Sequence, residues 1–388
     1  MIAVIADDFT GAAEIGGIGL KYGLKVIIET TVKNINKTDL LIIVSDTRSL
    51  PPQQAAKEIK RIAEKLIKLH PVYIFKKLDS VLRGNVAAEL FAQLEVTGKK
   101  KAVIIAGNPW MGRIIKNGYY SINSVPLAKT SFANDPDFPV ISSSVIDIIG
   151  GEYCPVHTCK IDCCLPEEGL IVGDVNSQDD ILCWAAMIDS NTVASGGAGF
   201  FDVLLSREYR KKGDSSNGHL KLGEKTLFVF GSTFPKSRKI VSRLKREGVL
   251  KINMPEAIYY NKNFAPGLLD DWARHIASCL DKNRKVIISI EQTHSEEPGL
   301  SVRIRENIGG LVKKVSELTS LTDLLIEGGA TTSAILKSLN ISKLYPYKEL
   351  DLGIIQMKVE KYPKLNITTK PGSYSWPDSV VFDNRKNN

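Results

Sequence analysis

No low-complexity tract and no 20-to-50-residue repeat marks these 388 residues, which argues against a repeat array. The amino terminus has no basic n-region, and its first apolar run, Ile2 to Ala6, stops at Asp7. It is therefore expected to be neither a secretory signal nor a membrane span, and the protein is expected in the cytoplasm with no membrane partner. The paired spacing of known zinc modules is missing as well. Cys154, Cys159, Cys163 and Cys164 cluster around His157, but they read as reduced, partly buried thiols, and no metal site is assigned. A basic stripe with interleaved aromatics is also lacking, because Lys and Arg are scattered through amphipathic helices, so nucleic acid is not an expected partner. The formal charge of +8 suits a small acid or a nucleotide better.

What is present is an ordinary globular composition, 43% hydrophobic and 24% charged, on a chain longer than one core usually supports. The chain opens on IAVIADDFTGAAEIGGIGLKYG, a continuously apolar strand that runs into two carboxylates and then a helix. Thr10 is expected to cap that helix, and Gly11 to let the backbone approach a ligand. Further strands are expected at Leu40 to Val44, Val72 to Phe75, Ala102 to Ala106, Leu170 to Val172 and Thr192 to Ala194, separated by helices, one of them capped by Asn85. Such alternation predicts βαβ units and a mainly parallel sheet. Between about Ile114 and Pro166 the pattern breaks into short β-prone pieces that read as an inserted elaboration.

The polar residues follow the carboxyl ends of successive strands: Asp7 and Asp8, Asp46 and Arg48, Lys77 with Asp79, Ser80 and Arg83, then Asn108 and Arg113. A parallel sheet gathers those ends on one edge, where open α/β sheets bind ligands. Arg48 and Arg83 are expected to grip a carboxylate, and an Asp to act as base. Asp8 is preferred as that base because it lies nearer the helix cap and the crevice opening, with Asp7 left open.

SREYRKKGDSSNGHLKLGEK reads as a linker. The expected division is an acid-binding domain over 1–205, a linker over 206–225 and a second α/β domain over 226–388. In the second domain GST follows one strand, EGGATTSAIL another, and KPGSY lies near the terminus. Gly328 and Gly329 at a strand-to-helix turn suit a phosphate, although the turn is neither a Walker sequence nor GxGxxG. Gly309 and Gly310 weaken the expected helix over Ser301 to Leu321. Tyr374 and Trp376 are expected to pack in the core or at an edge.

These stretches together carry a resemblance. IADDFTGA, SDTRS, KKLDSVLRGN, NPWMGRIIKNGYY through VPLAKTSFANDP, GGAGF, GGATTSAIL and KPGSY are similar, collinearly, to the four-carbon acid sugar kinase family. The resemblance implies two α/β domains with mainly parallel sheets and a ligand crevice at the strand ends and between the domains. It also implies transfer of phosphate from ATP, with magnesium, to the terminal hydroxyl of a threonate, erythronate or oxo-tetronate. It puts Asp7 or Asp8, Arg48 and Lys77 to Ser80 at the acid sugar. Ser232, Gly328, Gly329, Ala330, Thr331 and Gly372 are put at ATP. Ala330 stands where many members carry Asp, and Leu352 precedes Gly353 where members often have Pro-Gly. A second reading is a sensor that binds an acid sugar or nucleotide without transferring phosphate. Either is compatible with a homo-oligomer.

Overall fold

In a computed structural model the described residues are 1–32, 37–135, 138–212, 222–231, 235–290, 297, 299–372 and 374–377. The chain divides into two units, Met1–Gly213 and Asp214–Asn388. Both are α/β.

The first unit contains strands β1 (Ile2–Ala6), β2 (Val26–Glu29), β3 (Leu40–Val44), β4 (Ile74–Lys77), β5 (Lys101–Ile105), β6 (Arg113–Lys116), β7 (Tyr119–Ile122), β8 (Val125–Pro126), β9 (Val156–Cys159), β10 (Gly169–Gly173) and β11 (Thr192–Gly196). Its helices are α1 (Phe9–Lys21), α2 (Pro52–Ile67), α3 (Val86–Thr97), α4 (Val145–Ile149), α5 (Gln178–Ala186) and α6 (Ala198–Ser206). Its main sheet runs β2-β3-β1-β4-β11-β5-β10-β9, and every neighbouring pair is parallel. Helices cover a parallel sheet on both faces, so β1, β3 and β10 are buried along their whole length. Pro52 opens α2, whose Ala55, Ile59, Ile62 and Leu66 make one buried stripe at helical spacing.

Three details differ from the sequence expectations. Asp8, not Thr10, caps α1: its Oδ1 accepts the Gly11 N–H at 2.7 Å, and the Thr10 hydroxyl donates to its other oxygen at 2.7 Å. An Asp whose backbone is still extended aims its carboxylate at the open N–H groups of the first turn, and Thr10 is already inside the helix. Strand β4 lies two residues later than expected, at Ile74–Lys77, which makes Lys77 its last residue. Asn85 stands before α3 without capping it, and its amide instead donates to Thr47 O at 2.9 Å and Leu50 O at 2.8 Å.

The segment after β5 forms a separate antiparallel sheet, β6-β7-β8. It is tied back to the main sheet at two places. The Asp174 carboxylate beyond β10 accepts the N–H groups of Asn117 at 2.6 Å and Gly118 at 3.0 Å. The buried Tyr120 hydroxyl donates to Ser80 O at 2.5 Å and lies 3.2 Å from Ala106 O.

The second unit contains β12 (Thr226–Phe230), β13 (Leu250–Asn253), β14 (Lys285–Ser289), β15 (Asp323–Glu327), β16 (Lys343–Asp351), β17 (Ile354–Val359) and β18 (Asn366–Lys370). Its helices are α7 (Pro235–Arg246), α8 (Glu256–Tyr260), α9 (Pro266–Asn283), α10 (Leu300–Leu318) and α11 (Gly329–Ser338). Its strands run β13-β14-β12-β15-β18-β17-β16, parallel as far as β18 and antiparallel through the β16–β17 hairpin. Trp376 is buried against Phe230 with an edge-on ring geometry at 6.5 Å.

Helix α10 runs unbroken through its glycine pair. The sequence expectation undervalued Gly309, where an added Cβ would lie 2.7 Å from the Ala334 carbonyl oxygen of α11. Close contact between two helices outweighs the propensity cost of an interior glycine. Gly310 is different, because the nearest atom to a Cβ there is a Leu269 methyl at 3.5 Å. Gly309→Ala should therefore lower stability despite its better helix propensity, whereas Gly310→Ala should raise it by up to about 1 kcal/mol. Urea denaturation of both variants measures this, and stabilisation by Gly309→Ala would refute the packing argument.

Candidate functional site

Strand order brings the ends of β3, β1 and β4 side by side, and the first turn after each supplies charged residues. Arg48, beyond β3, lies at the centre. Its Nε donates to Asp7 Oδ2 at 2.8 Å, and its Nη2 is also 2.8 Å from that oxygen. Its Nη1 lies 3.1 Å from Asp8 Oδ2 and 3.5 Å from Asp79 Oδ1. Gly84, at φ 93°, brings its loop against the Arg48 side chain, where a Cβ would stand 2.9 Å from Cγ. With the Asn85 amide bonds, this clamps the SDTRS turn beneath RGN, so the two motifs form one structural element.

Asp79 is shared with Arg83, whose Nε and Nη2 reach its two oxygens at 2.9 and 2.7 Å. The remaining arm of Arg83 donates to Asp135 at 2.7 Å, and its guanidinium stands 5.1 Å over the Phe132 ring. The FANDP stretch is thereby joined to the same network. Lys77 Nζ donates to Leu78 O at 2.9 Å and lies 3.6 Å from Glu14. Ser80 contributes its carbonyl to Tyr120. Asn108 and Arg113 pair through their backbones beyond β5.

The two adjacent aspartates are electrostatically unlike. Burial would raise the Asp8 carboxyl, but Arg48, Lys77 and the bonds from Thr10 and Gly11 outweigh it and hold the group below its ordinary value. At Asp7 burial prevails over Arg48 and pushes the group up. Its Oδ1 is buried and accepts no hydrogen bond from the described residues. Asp8 is committed to its cap, whereas Asp7 keeps one oxygen without a donor among the described residues. Arg48 and Arg83, expected to grip a ligand carboxylate, are occupied by carboxylates of the protein itself.

In the second unit, Gly328 (φ 98°) precedes α11, and its N–H donates to Lys370 O at 2.9 Å. The first backbone donor retained inside the helix is Thr332, onto Gly328 O. The N–H groups of Gly329, Ala330 and Thr331 therefore point beyond the helix start, toward the positive end of its dipole. Ala330 is exposed at the second helical position. Gly231 has no room for a side chain against Thr331. Beneath the turn Glu327 and Lys370 form a fully buried ion pair at 3.2 Å. Glu327 also accepts from Ser237 and, at 3.1 Å, from Trp376 Nε1. Lys370 Nζ donates to Pro371 O at 2.8 Å and Tyr374 O at 2.7 Å, and its third contact, Gly372 O, is at 3.4 Å. The sequence marked the KPGSY loop but not Glu327, which stands immediately before the glycine pair. Ser232 lies outside the described residues.

The Arg48 contacts lead to a stability prediction. Burial opposes ionisation of Asp79, yet Arg83 and Arg48 hold its carboxyl far below the ordinary carboxylate range. Because the folded value is depressed, this stabilisation is present above the unfolded value of about 3.9 and is lost as pH falls through the folded one. Removing one partner of a buried charge network costs about 3 to 5 kcal/mol, so Arg48→Ala should lose about that much at pH 7. The deficit should narrow toward about pH 3, as the stranded carboxylates protonate. Denaturation curves at several pH values check the sign, and a deficit that widens on acidification would contradict it.

Two family models match this chain. Residues 2–204 match a model of a sugar-binding N-terminal domain, and residues 227–374 match a nucleotide-binding C-terminal domain. A 3-oxo-tetronate kinase of Brucella melitensis is 34% identical over 422 aligned positions, covering 99% of this chain and 95% of that protein. A D-threonate kinase of Salmonella typhimurium is 36% identical over 149 residues, which are 38% of this chain and only 35% of that relative's length. A solved structure from Salmonella typhimurium LT2 shares the fold, with a TM-score of 0.77 at 18% identity over 96% of each chain. With both domain models matched in order and a relative aligned over nearly its full length, the chain belongs to the four-carbon acid sugar kinase family.

Proposed function

We propose that this protein is an ATP-dependent kinase that phosphorylates the terminal hydroxyl of a four-carbon acid sugar of the threonate, erythronate or oxo-tetronate type. The observation that carries the reading is the Asp7 carboxylate. One of its oxygens is fixed by Arg48, the other accepts no hydrogen bond from the described residues, and burial raises its affinity for a proton. A general base needs a pKa lifted toward the working pH and a free lone pair directed at the proton it removes. In this mechanism Asp7 Oδ1 takes the proton of the attacking hydroxyl while Arg48 holds the carboxylate in place. Asp8 anchors the start of α1. Lys77, Asp79, Ser80 and Asn108 border the same edge and are assigned to orienting the acid sugar.

The turn at Gly328, Gly329, Ala330 and Thr331, with Gly372 in the adjoining loop, is assigned to the nucleotide phosphates. Its free N–H groups and the absence of side chains at Gly328 and Gly231 fit a triphosphate. Glu327 is consumed by Lys370, Ser237 and Trp376, and the described residues contain no cluster of three metal-binding side chains. The magnesium would therefore be held largely by the phosphates, which is common for this ion. Bound ATP and magnesium would supply the phosphoryl group and neutralise its developing charge; the protein's part is positioning and electrostatics.

The direct test is phosphate transfer to a panel of four-carbon acids with ATP and magnesium, and absence of transfer to every one would sink the proposal. Asp7→Asn should reduce turnover by about 10² to 10⁴. Asp8→Asn keeps a good cap and should cost far less. The acid limb of kcat/KM should fall above the ordinary carboxylate value of about 3.9 and vanish in Asp7→Asn. Equal turnover losses in two folded variants would remove the distinction. Gly329→Val should weaken ATP binding without changing affinity for the acid, as read by calorimetric titration.

A further inference from the structure

The geometry points to a carboxylate subsite formed by the Arg113 guanidinium and the amino terminus of α6, which orients the acid sugar with its carboxylate beyond β11 and β5 and its terminal hydroxyl toward Asp7. This deepens the proposed function and rests on it for the identity of the ligand.

The first observation is an arginine without a counter-ion. Arg113 is only 8% exposed, yet among the described residues no carboxylate pairs with it, and its side-chain hydrogen bond there is to Met111 Sδ at 3.8 Å. Arg48 and Arg83, in the same edge, each have at least two carboxylate partners. A guanidinium offers five donors and cannot shed its charge, so one held out of water and left unpaired calls for an anion. The β6–β7 hairpin that carries Arg113 is itself anchored, by Asp174 at its turn and by Tyr120 against Ser80 and Ala106. Arg113 stands near enough to that Tyr120 hydroxyl for its charge to offset part of the upward push of burial on the phenol.

The second observation is an uncapped helix start beside Asn108, whose backbone pairs with that of Arg113. Strand β11 lies between β4 and β5, so α6 begins between the Ser80 turn and the Ala106–Asn108 turn. Gly197 caps α6 with no side chain, and its own N–H is spent on Ile105 O at 2.9 Å. The first bond inside the helix is from Phe201 to Gly197 O, which leaves the N–H groups of Ala198, Gly199 and Phe200 without a helical acceptor. Asn108 faces this turn, its amide nitrogen 3.4 Å from where a Cβ on Gly199 would stand. Glycine at Gly196 is obligatory, because any Cβ would collide with Ile105 O, so β11 can approach β5 closely enough to bring GGAGF beside Asn108. A carboxylate there would meet a fixed cation and a helix dipole of favourable sign. Neighbouring strands are about 4.8 Å apart, so the three steps from β5 to β1 span about 14 Å. The reach of the arginine and aspartate side chains leaves room between them for a four-carbon chain.

The test compares a four-carbon sugar acid, D-threonate, with the neutral polyol threitol, using the full-length protein and the variants Arg113→Met and Arg113→Lys. Arg113→Met should raise KM for the acid about 10- to 100-fold and leave KM for ATP within a factor of about two. Its preference for the acid over threitol should collapse, and Arg113→Lys should restore part of it. A second readout separates binding from structure. Replacing an unpaired buried cation by an apolar side chain should leave the ligand-free Tm unchanged or higher, while the Tm rise produced by D-threonate shrinks. A large fall in ligand-free Tm, or an intact preference for the acid in the folded variant, would overturn the assignment. If no four-carbon acid is phosphorylated, the kinase reading fails separately, and the D-threonate Tm shift still decides whether Arg113 binds a carboxylate.

Discussion

The first unit depends on one buried cation. Arg48 gathers carboxylates that leave two other strands, Asp7 and Asp8 from β1 and Asp79 from β4, into a single network. Like charges gathered there repel strongly where water is excluded, and the guanidinium between them offsets that repulsion. The burial is possible because Gly84 and Asn85 close over the turn that presents Arg48. What can be read as three separate motifs is one electrostatic assembly, and its members constrain each other.

This arrangement also sorts the charges by task. Arg83 is paired with Asp79 and Asp135, and Arg48 with the aspartates of the opening strand and β4. Compensation is uneven at the two ends of the edge. Among the described residues, an aspartate oxygen at one end has no donor and an arginine at the other has no carboxylate partner. The proposed acid sugar, with a hydroxyl at its far end, would complement both.

The second unit solves a related problem in a different way. Its glycine turn needs a firm floor while its N–H groups remain open, and the buried Glu327–Lys370 pair supplies that floor. Lys370 spends its donors on the carbonyls of the loop that follows, and Glu327 draws in Ser237 and Trp376. The pair is acceptable in a dry interior because its remaining hydrogen-bonding capacity is satisfied. The N–H groups of Gly329, Ala330 and Thr331 are thus left without a helical acceptor.

Much of this was legible in the residues. Apolar runs ending in charged turns show parallel strands and the edge on which their ends collect, because side-chain burial on both faces leaves a local and continuous signature. The glycine pair at the start of α11 was likewise visible as a strand-to-helix turn. The antiparallel β16–β17 hairpin and the short strands β2, β9 and β13 were missed, since their patterns are brief and depend on neighbours that the linear sequence does not show. Gly309 could not be judged from helix propensity, because its value lies in contact with Ala334 on another helix. The same limit applies to charge. The sequence by itself determined which ionisable groups reach the sheet edge; only the tertiary structure decided which cancel one another and which stay available. Pairing depends on distances of a few ångströms between turns far apart in the chain, and desolvation amplifies each of those differences.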